Sequence, residues 1–343
     1  MSLQGVANPA ETDAETVFGT AFGQWKSEST NWTVAEATLD DDVDDLPGDN
    51  RVVFSIPPTR EGKVELIADS IFLRRALSPE VMKGRWDVRV ADQDDLLDRD
   101  QDSGPDVLCL ESHRLKSPEV RSLVRDDLSA GRGVILLVDQ ITPVISGFLR
   151  DMGIEAEALQ DEPGQPATFR YVYAEHPVFA PFRTAEFGNL AEVEFENYRR
   201  LKVRDATSLA FSAAGEPLLF EAHAGPGRLL VFSFAFDRSD TNWPIHPTFI
   251  PFLDQALRYV RGEAVTGTSF QPAESVVWEL PAGVEAERVV VAALDPDSLD
   301  IATDAFEPLV VEVKARKATF ALPPQVGHFA VRSESGQLLG TIL

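Results

Sequence analysis

The amino-acid sequence predicts a doubly wound α/β sheet followed by a small all-β sandwich, and three observations carry that prediction. From about Lys63, short apolar runs alternate with amphipathic stretches across brief connections, the succession that builds a wound sheet. Gly133 to Val138 is apolar throughout, as a parallel strand covered on both faces must be. Beyond Gly267 helical signals cease, and short strand-like runs are separated by Pro, Gly and Asp to the end of the chain. The sequence thus divides into residues 1–58, an N-terminal β-unit remnant or linker, residues 59–264, the α/β unit, and residues 265–343, the sandwich.

The elements follow in order. Residues 1–35 are polar with scattered aromatics (Phe18, Phe22, Trp25, Trp32), and the acidic, turn-rich run Leu39 to Asn50 leads into a strand, Arg51 to Ile56, closed by Pro57-Pro58. Val64 to Ala68 is a strand, and Asp69 or Ser70 caps a helix with Leu73, Ala76, Leu77 and Val81 on one face. Trp86 to Ala91 and Asp106 to Leu110 are further strands. Ser117-Pro118-Glu119 combines an N-cap, a proline at the first helical position and an acid in the first turn; Val120, Leu123, Val124 and Leu128 then form an apolar stripe that Gly131 ends. Thr142-Pro143 opens another helix, stopped near Gly153. From about 154 to 222 the pattern is shorter and strand-like, as in Ala167 to Tyr173 and Val193 to Val203. Gly225-Pro226-Gly227 is a turn into the apolar strand Arg228 to Phe236. A helix from Pro247 to Arg261 turns Phe249, Phe252, Leu253, Ala256 and Val260 inward, with Gly262 as its stop. Short strands follow at 276–280, 288–293, 309–313, 318–322 and 328–332, and Leu338 to Leu343 reads as a last one.

Composition narrows the function. Fifty-six Asp and Glu against 31 Lys and Arg give a formal charge of −25, which repels phosphate backbones and anionic headgroups and argues against nucleic-acid binding or a polybasic membrane contact. An apolar fraction of 44%, with 21 Phe and 5 Trp, fills real cores and argues against global disorder. One cysteine excludes an intrachain disulfide and any multi-cysteine metal site. No apolar stretch approaches the ~20 residues of a membrane span. The N-terminus carries no basic-then-apolar leader, and both ends read as cuts from something longer.

Three stretches together resemble one family: Asp45-Leu46-Pro47-Gly48-Asp49-Asn50 ahead of a strand, Ser70-Ile71-Phe72-Leu73-Arg74-Arg75-Ala76-Leu77 after another, and Gly227 to Phe232 running on to Trp243-Pro244-Ile245-His246-Pro247-Thr248-Phe249 and Leu253. Over roughly residues 36–343 the chain looks like the extracytoplasmic region of bacterial Bat-type (aerotolerance-related) membrane proteins. The resemblance implies a class I glutamine amidotransferase-like, flavodoxin-like α/β domain, preceded by a β-unit or a von Willebrand factor A domain and followed by a small β-sandwich. It also implies a membrane-anchored parent with this chain as its soluble part on the extracytoplasmic face, and protein partners in the cell envelope.

An amidotransferase of that kind needs a cysteine on a glycine-flanked elbow and a His-Pro-Glu-like element. After Gly133 to Val138 stand Asp139-Gln140-Ile141-Thr142, with neither cysteine nor glycine, and in His246-Pro247-Thr248 a threonine replaces the carboxylate. Cys109, inside Val107-Leu108-Cys109-Leu110, reads as a small core residue. The expectation is a non-catalytic amidotransferase-like interaction or scaffold module with no cofactor. The first alternative is a degenerate amidotransferase or hydrolase acting through Cys109 and His246. The second is a small-ligand or metal site at the carboxyl ends of strands, which carry Asp69-Ser70, Asp92, Glu111-Ser112-His113, Asp139-Gln140 and Asp237-Arg238, with Glu111, His113, Asp139 and Asp237 as the residues that converge. Asp98, Asp100 and Asp102 approach a calcium loop, but Ser103 and Cys109 stand where an EF-hand has glycine and glutamate, so a solvated acidic loop is the better reading.

Overall fold

The structure, a computed structural model, describes residues 33–38, 51–56, 61–82, 84–92, 104–156, 166–182, 188–262 and, with interruptions, 273–342. The N-terminal aromatics, the acidic run 39–50 and the calcium-loop candidates Asp98, Asp100 and Asp102 lie outside these residues. Strands β1 (Thr33–Thr38) and β2 (Arg51–Ile56) pair antiparallel. Among the described residues no helix is long and apolar enough to cross a membrane.

Among the described residues the main sheet has nine strands. Strands β3 (Gly62–Ile67), β4 (Trp86–Val90), β5 (Val107–Glu111) and β6 (Gly133–Leu137) are joined in parallel with β13 (Gly227–Phe232), in the spatial order β4-β3-β5-β6-β13. Numbered by position in the chain, these five run 2-1-3-4-5, an order with one switch point, between β3 and β5. Helices flank both faces of this half: α1 (Ile71–Ala76) and α2 (Pro79–Met82), α3 (Pro118–Ser129), α4 (Pro143–Asp151) and α5 (Phe249–Val260). On one face Leu66, Cys109, Ile135, Leu137 and Phe232 pack with α1 and α5 through Leu73, Phe252 and Leu253. On the other Leu108, Leu110, Leu136 and Val231 pack with α3 and α4 through Val120, Val124 and Phe148. The expected capping is present: the side chains of Ser70, Ser117 and Thr142 accept from the amides of Leu73, Val120 and Ile145.

Beyond β13 the sheet departs from the doubly wound expectation. Strands β12 (Pro217–Ala224), β11 (Thr207–Ser212), β8 (Ala167–Val172) and β9 (Glu194–Phe195) continue it antiparallel. The reason is local: among the described residues no long helix stands between 154 and 222, and without a crossover consecutive strands can only pair antiparallel. The β12–β13 hairpin turns at Gly225 (φ +71°), and at Gly227 a Cβ would lie 2.5 Å from the Leu128 carbonyl oxygen.

Other expectations are also corrected. The helix expected to carry both Leu73 and Val81 is broken at Leu77-Ser78, because Pro79 disfavours helical backbone in the residue before it. Residues 193–203 are not one strand: β9 belongs to the main sheet and β10 (Leu201–Val203) pairs with β7 (Ile154–Ala156). The strand expected to reach Phe236 ends at Phe232, although Phe234 and Phe236 stay fully buried. The C-terminal unit is not two stacked sheets but one antiparallel sheet of six strands: β14 (Ser275–Glu279), β17 (Lys317–Ala321), β16 (Leu309–Lys314), β15 (Arg288–Ala293), β18 (Phe329–Ser333) and β19 (Leu338–Ile342), in that spatial order. It curls so that Trp278 and Phe320 at one end share a core with Phe329, Val331 and Ile342 at the other. Alternating burial requires one covered face, which a curled sheet supplies as well as a sandwich does.

Candidate functional site

The carboxyl ends of the parallel strands border an open crevice of about 490 Å³. Four of the five parallel strands contribute: Asp69 follows β3, Glu111 ends β5, His113 follows it, Asp139 follows β6, and Ala235 and Asp237 follow β13. All four crevice residues expected from sequence line this cavity, joined by Asp69, Ser70, Ile71 and Phe72. It lies at the switch point, where helices leaving adjacent strands diverge and open the sheet's edge. The wall formed by residues 233–237 is fixed from behind by aromatic packing. Phe236 meets Phe232, Trp243 and Phe249 with ring centroids 4.9, 6.0 and 5.0 Å away, contacts worth about 0.5–1.5 kcal/mol each beyond burial. Ser70 Oγ, donating to the Phe236 carbonyl at 2.5 Å, ties the wall to the start of α1.

The polar groups form one network. The Asp69 amide donates to Glu111 Oε2 at 2.8 Å, and Arg114 Nη2 donates to Asp69 Oδ1 at 2.7 Å. Asp139 takes the Ser112 hydroxyl at 2.7 Å and the His113 amide at 3.0 Å on Oδ1, and the His113 ring Nδ1 at 2.9 Å on Oδ2. A carboxylate only accepts, so the ring proton sits on Nδ1. His113 Nε2 lies 3.5 Å from Asp69 Oδ2. Arg199 donates to the Asp139 carbonyl, reaching in from the antiparallel half. Asp237 differs from the other carboxylates: its Oδ1 accepts from the Ser239 amide and hydroxyl and the Asp240 amide, so it serves its own turn.

These contacts set the charges. Burial pushes the Glu111 carboxyl above its usual range; the Asp69 amide opposes this, and the Asp139 charge adds to it. The hydrogen bond to Asp139 raises the His113 imidazole, against a smaller effect of burial. For Asp139 burial acts upward, but the hydrogen bonds from His113 and Ser112 together hold the carboxyl below its usual range.

The catalytic alternative fares differently. Cys109 is fully buried in the middle of β5, and burial pushes its thiol up to about 12. His246 sits in the turn before α5, its Nδ1 2.9 Å from Thr248 Oγ1 and its Nε2 3.6 Å from a Glu192 carboxylate oxygen. These contacts do not bring the imidazole to the thiol. A thiol without solvent access or a base in reach forms no useful thiolate. Sequence reasoning placed Asp69 and Ser112 at the carboxyl ends of strands without counting them among the converging residues, and did not single out Arg114 or Arg199. Asp69 was within reach, since it follows a strand at the same edge of the sheet as Glu111. Arg199 carried no local signal, because its partner is 60 residues away.

No protein-family model matches the chain, and no curated protein does. Solved structures similar to it include a cytoplasmic protein from Salmonella typhimurium, 14% identical, with a TM-score of 0.43, covering 67% of this chain and 96% of that one. A putative GMP synthase component from Thermoplasma acidophilum is 15% identical with a TM-score of 0.37, covering 58% and 96%. A putative ThuA-like protein from Bacteroides uniformis is 12% identical with a TM-score of 0.43, covering 60% and 94%.

Proposed function

We propose that this chain is a non-catalytic, amidotransferase-like binding or scaffold module whose ligand site is the crevice at the carboxyl ends of β3, β5, β6 and β13. The observation that carries the proposal is the contrast along β5. Cys109 is sealed in the core, and two residues on, Glu111 opens into a cavity with His113, Asp139 and Asp69. The position after β6, where an amidotransferase nucleophile would stand, is occupied by Asp139, whose side chain is committed to Ser112 and His113. Iodoacetamide at neutral pH should leave the native thiol unmodified and label it after unfolding, and the protein should release no ammonia from glutamine. Rapid labelling of the folded chain, or glutamine hydrolysis, would remove the proposal.

The finer setting is proposed on the resemblance of the three stretches alone: the module belongs to a Bat-type, membrane-anchored protein and meets protein partners on the extracytoplasmic face. It acts there as separate units dividing near residues 58 and 264. Fractionation of producing cells should find the native protein with the membrane and open to external protease; recovery in the cytosolic fraction would count against this setting.

A further inference from the structure

We infer that the crevice takes a divalent transition-metal ion of the class that accepts imidazole and carboxylate together, with Asp69, Glu111 and His113 as its ligands. The inference rests on the crevice being a ligand site and names what it holds. One donor atom from each of these three residues lies within 4.8 Å of the others. Donors around an ion with bonds of ~2.0–2.2 Å stand about 3–4 Å apart, so a small side-chain rotation closes the set.

Proximity of acidic groups is common, and two further features separate this cluster from it. The first is that each ligand is anchored through one polar atom while the other stays available. Arg114 holds Asp69 by Oδ1, leaving Oδ2 toward His113. Asp139 holds His113 by Nδ1, leaving the Nε2 lone pair on the opposite edge of the ring. This carboxylate–imidazole pairing is the support that metal-bound histidines have, because it fixes the tautomer and the ring plane. The second feature is Glu111. It is only 4% exposed, its Oε2 takes the Asp69 amide, and its Oε1 accepts no hydrogen bond from any described residue while the side chain lines the cavity. That oxygen is reached from the crevice and is free to meet a cation or a ligand proton there.

The charges around the set agree. Asp69, Glu111, Asp139 and Asp237 face the cavity, balanced by Arg114 on Asp69 and by Arg74, 4.0 Å from the same carboxylate. A nitrogen donor beside two carboxylates suits zinc or manganese, whereas calcium and magnesium favour all-oxygen shells. Three protein ligands leave coordination positions open, and the cavity has room for a small molecule to fill them.

Calorimetric titration of the intact chain with zinc chloride, repeated with manganese chloride, tests the inference. One equivalent should bind to the wild type at micromolar concentration. Glu111→Gln, which keeps the side chain's size, and His113→Gln should each weaken binding about 100-fold or more. Asp139→Asn, which touches no ligand atom of the ion, should weaken it about 10–100-fold by releasing the imidazole. Melting curves in chelator verify that each variant is folded, and Glu111→Gln alone decides the matter if the histidine variant is not. Absence of binding at millimolar metal, or binding indifferent to Glu111→Gln, overturns the inference. A thermal-shift screen with small amines, sugars and carboxylic acids separates the two levels. If metal fails but such a molecule stabilises the wild type and not His113→Gln, the crevice remains a ligand site without a cation. If both fail, the binding-module proposal falls as well.

Discussion

In β5 and β6 every residue is buried, whereas in β16 and β17 exposure alternates residue by residue. The first pair is covered by helices on both faces; the second belongs to a sheet that curls around a single core and leaves its outer face wet. The difference determines where chemistry can be placed. A strand buried on both faces has no lateral surface to offer, so its polar residues are driven to its ends. Glu111, the only charged residue in β5 and β6, is the last residue of its strand. The C-terminal sheet has a wet outer face along its strands, and among its described residues no such convergence occurs.

The comparison is broken most severely by removing volume from the doubly covered strands. Leu136→Ala should cost about 2–5 kcal/mol by denaturant unfolding, because the cavity left between β6 and its helices cannot collapse. Val310→Ala, on the outer face of β16 and 62% exposed, should stay within about 0.5 kcal/mol. Gly227→Ala should cost about 1–3 kcal/mol, since a Cβ there would meet the Leu128 and Arg132 carbonyl oxygens at 2.5 and 2.6 Å, atoms of the backbone that cannot swing aside. Gly336→Ala in the C-terminal sheet meets nothing within 4 Å, and only its φ of +85° opposes it, so the smaller loss of the two is expected there. Cys109→Ser should also cost about 1–3 kcal/mol, as a hydroxyl in that apolar layer finds no partner.

The smallest effect sharpens the comparison at the crevice itself. His113 is raised from its ordinary value of 6.5, so its contribution to stability is full below about that pH and is lost as pH rises through the folded value. Asp139 is lowered from 3.8, so its contribution is present above that value and disappears as pH falls through the folded one. The pair therefore stabilises most between these two ordinary values, with Glu111, Asp69 and Arg114 as the other charged groups facing the imidazole. The unfolding free-energy difference between wild type and His113→Gln, measured in chelator, should be larger at pH 6 than at pH 9. An equal difference at both would show that the imidazole's charge is irrelevant to the fold.

Much of this was legible in the sequence wherever the signal is local. Ser117-Pro118 and Thr142-Pro143 mark helix starts through side-chain and proline geometry that acts within one turn. The apolar run at 133–138 announces two-sided burial by itself. Four of the crevice residues followed from strand ends alone, because a wound sheet sends all its parallel carboxyl termini to one edge. Failures came where the outcome depends on distant partners. Residues 193–203 split between two sheets because β10 finds β7 far back in the chain, Leu201 opposite Ala156, and no periodicity within the segment records that. The curl of the C-terminal sheet was unreadable for a related reason: alternation reports one covered face but not which surface covers it.

The crevice also sets a lower limit on how small a working piece of this protein can be. Its walls are stitched by hydrogen bonds spanning 26 residues between His113 and Asp139, 42 between Asp69 and Glu111, 60 between Asp139 and Arg199, and 166 between Ser70 and Phe236. Excising β3 to β6 would keep Asp69, Glu111 and His113 with Arg114, but lose Asp139, Arg199 and the wall at 233–237. Any minimal version must therefore run from β3 through α5, antiparallel strands included: that half of the sheet is the frame that carries the chain back to close the pocket.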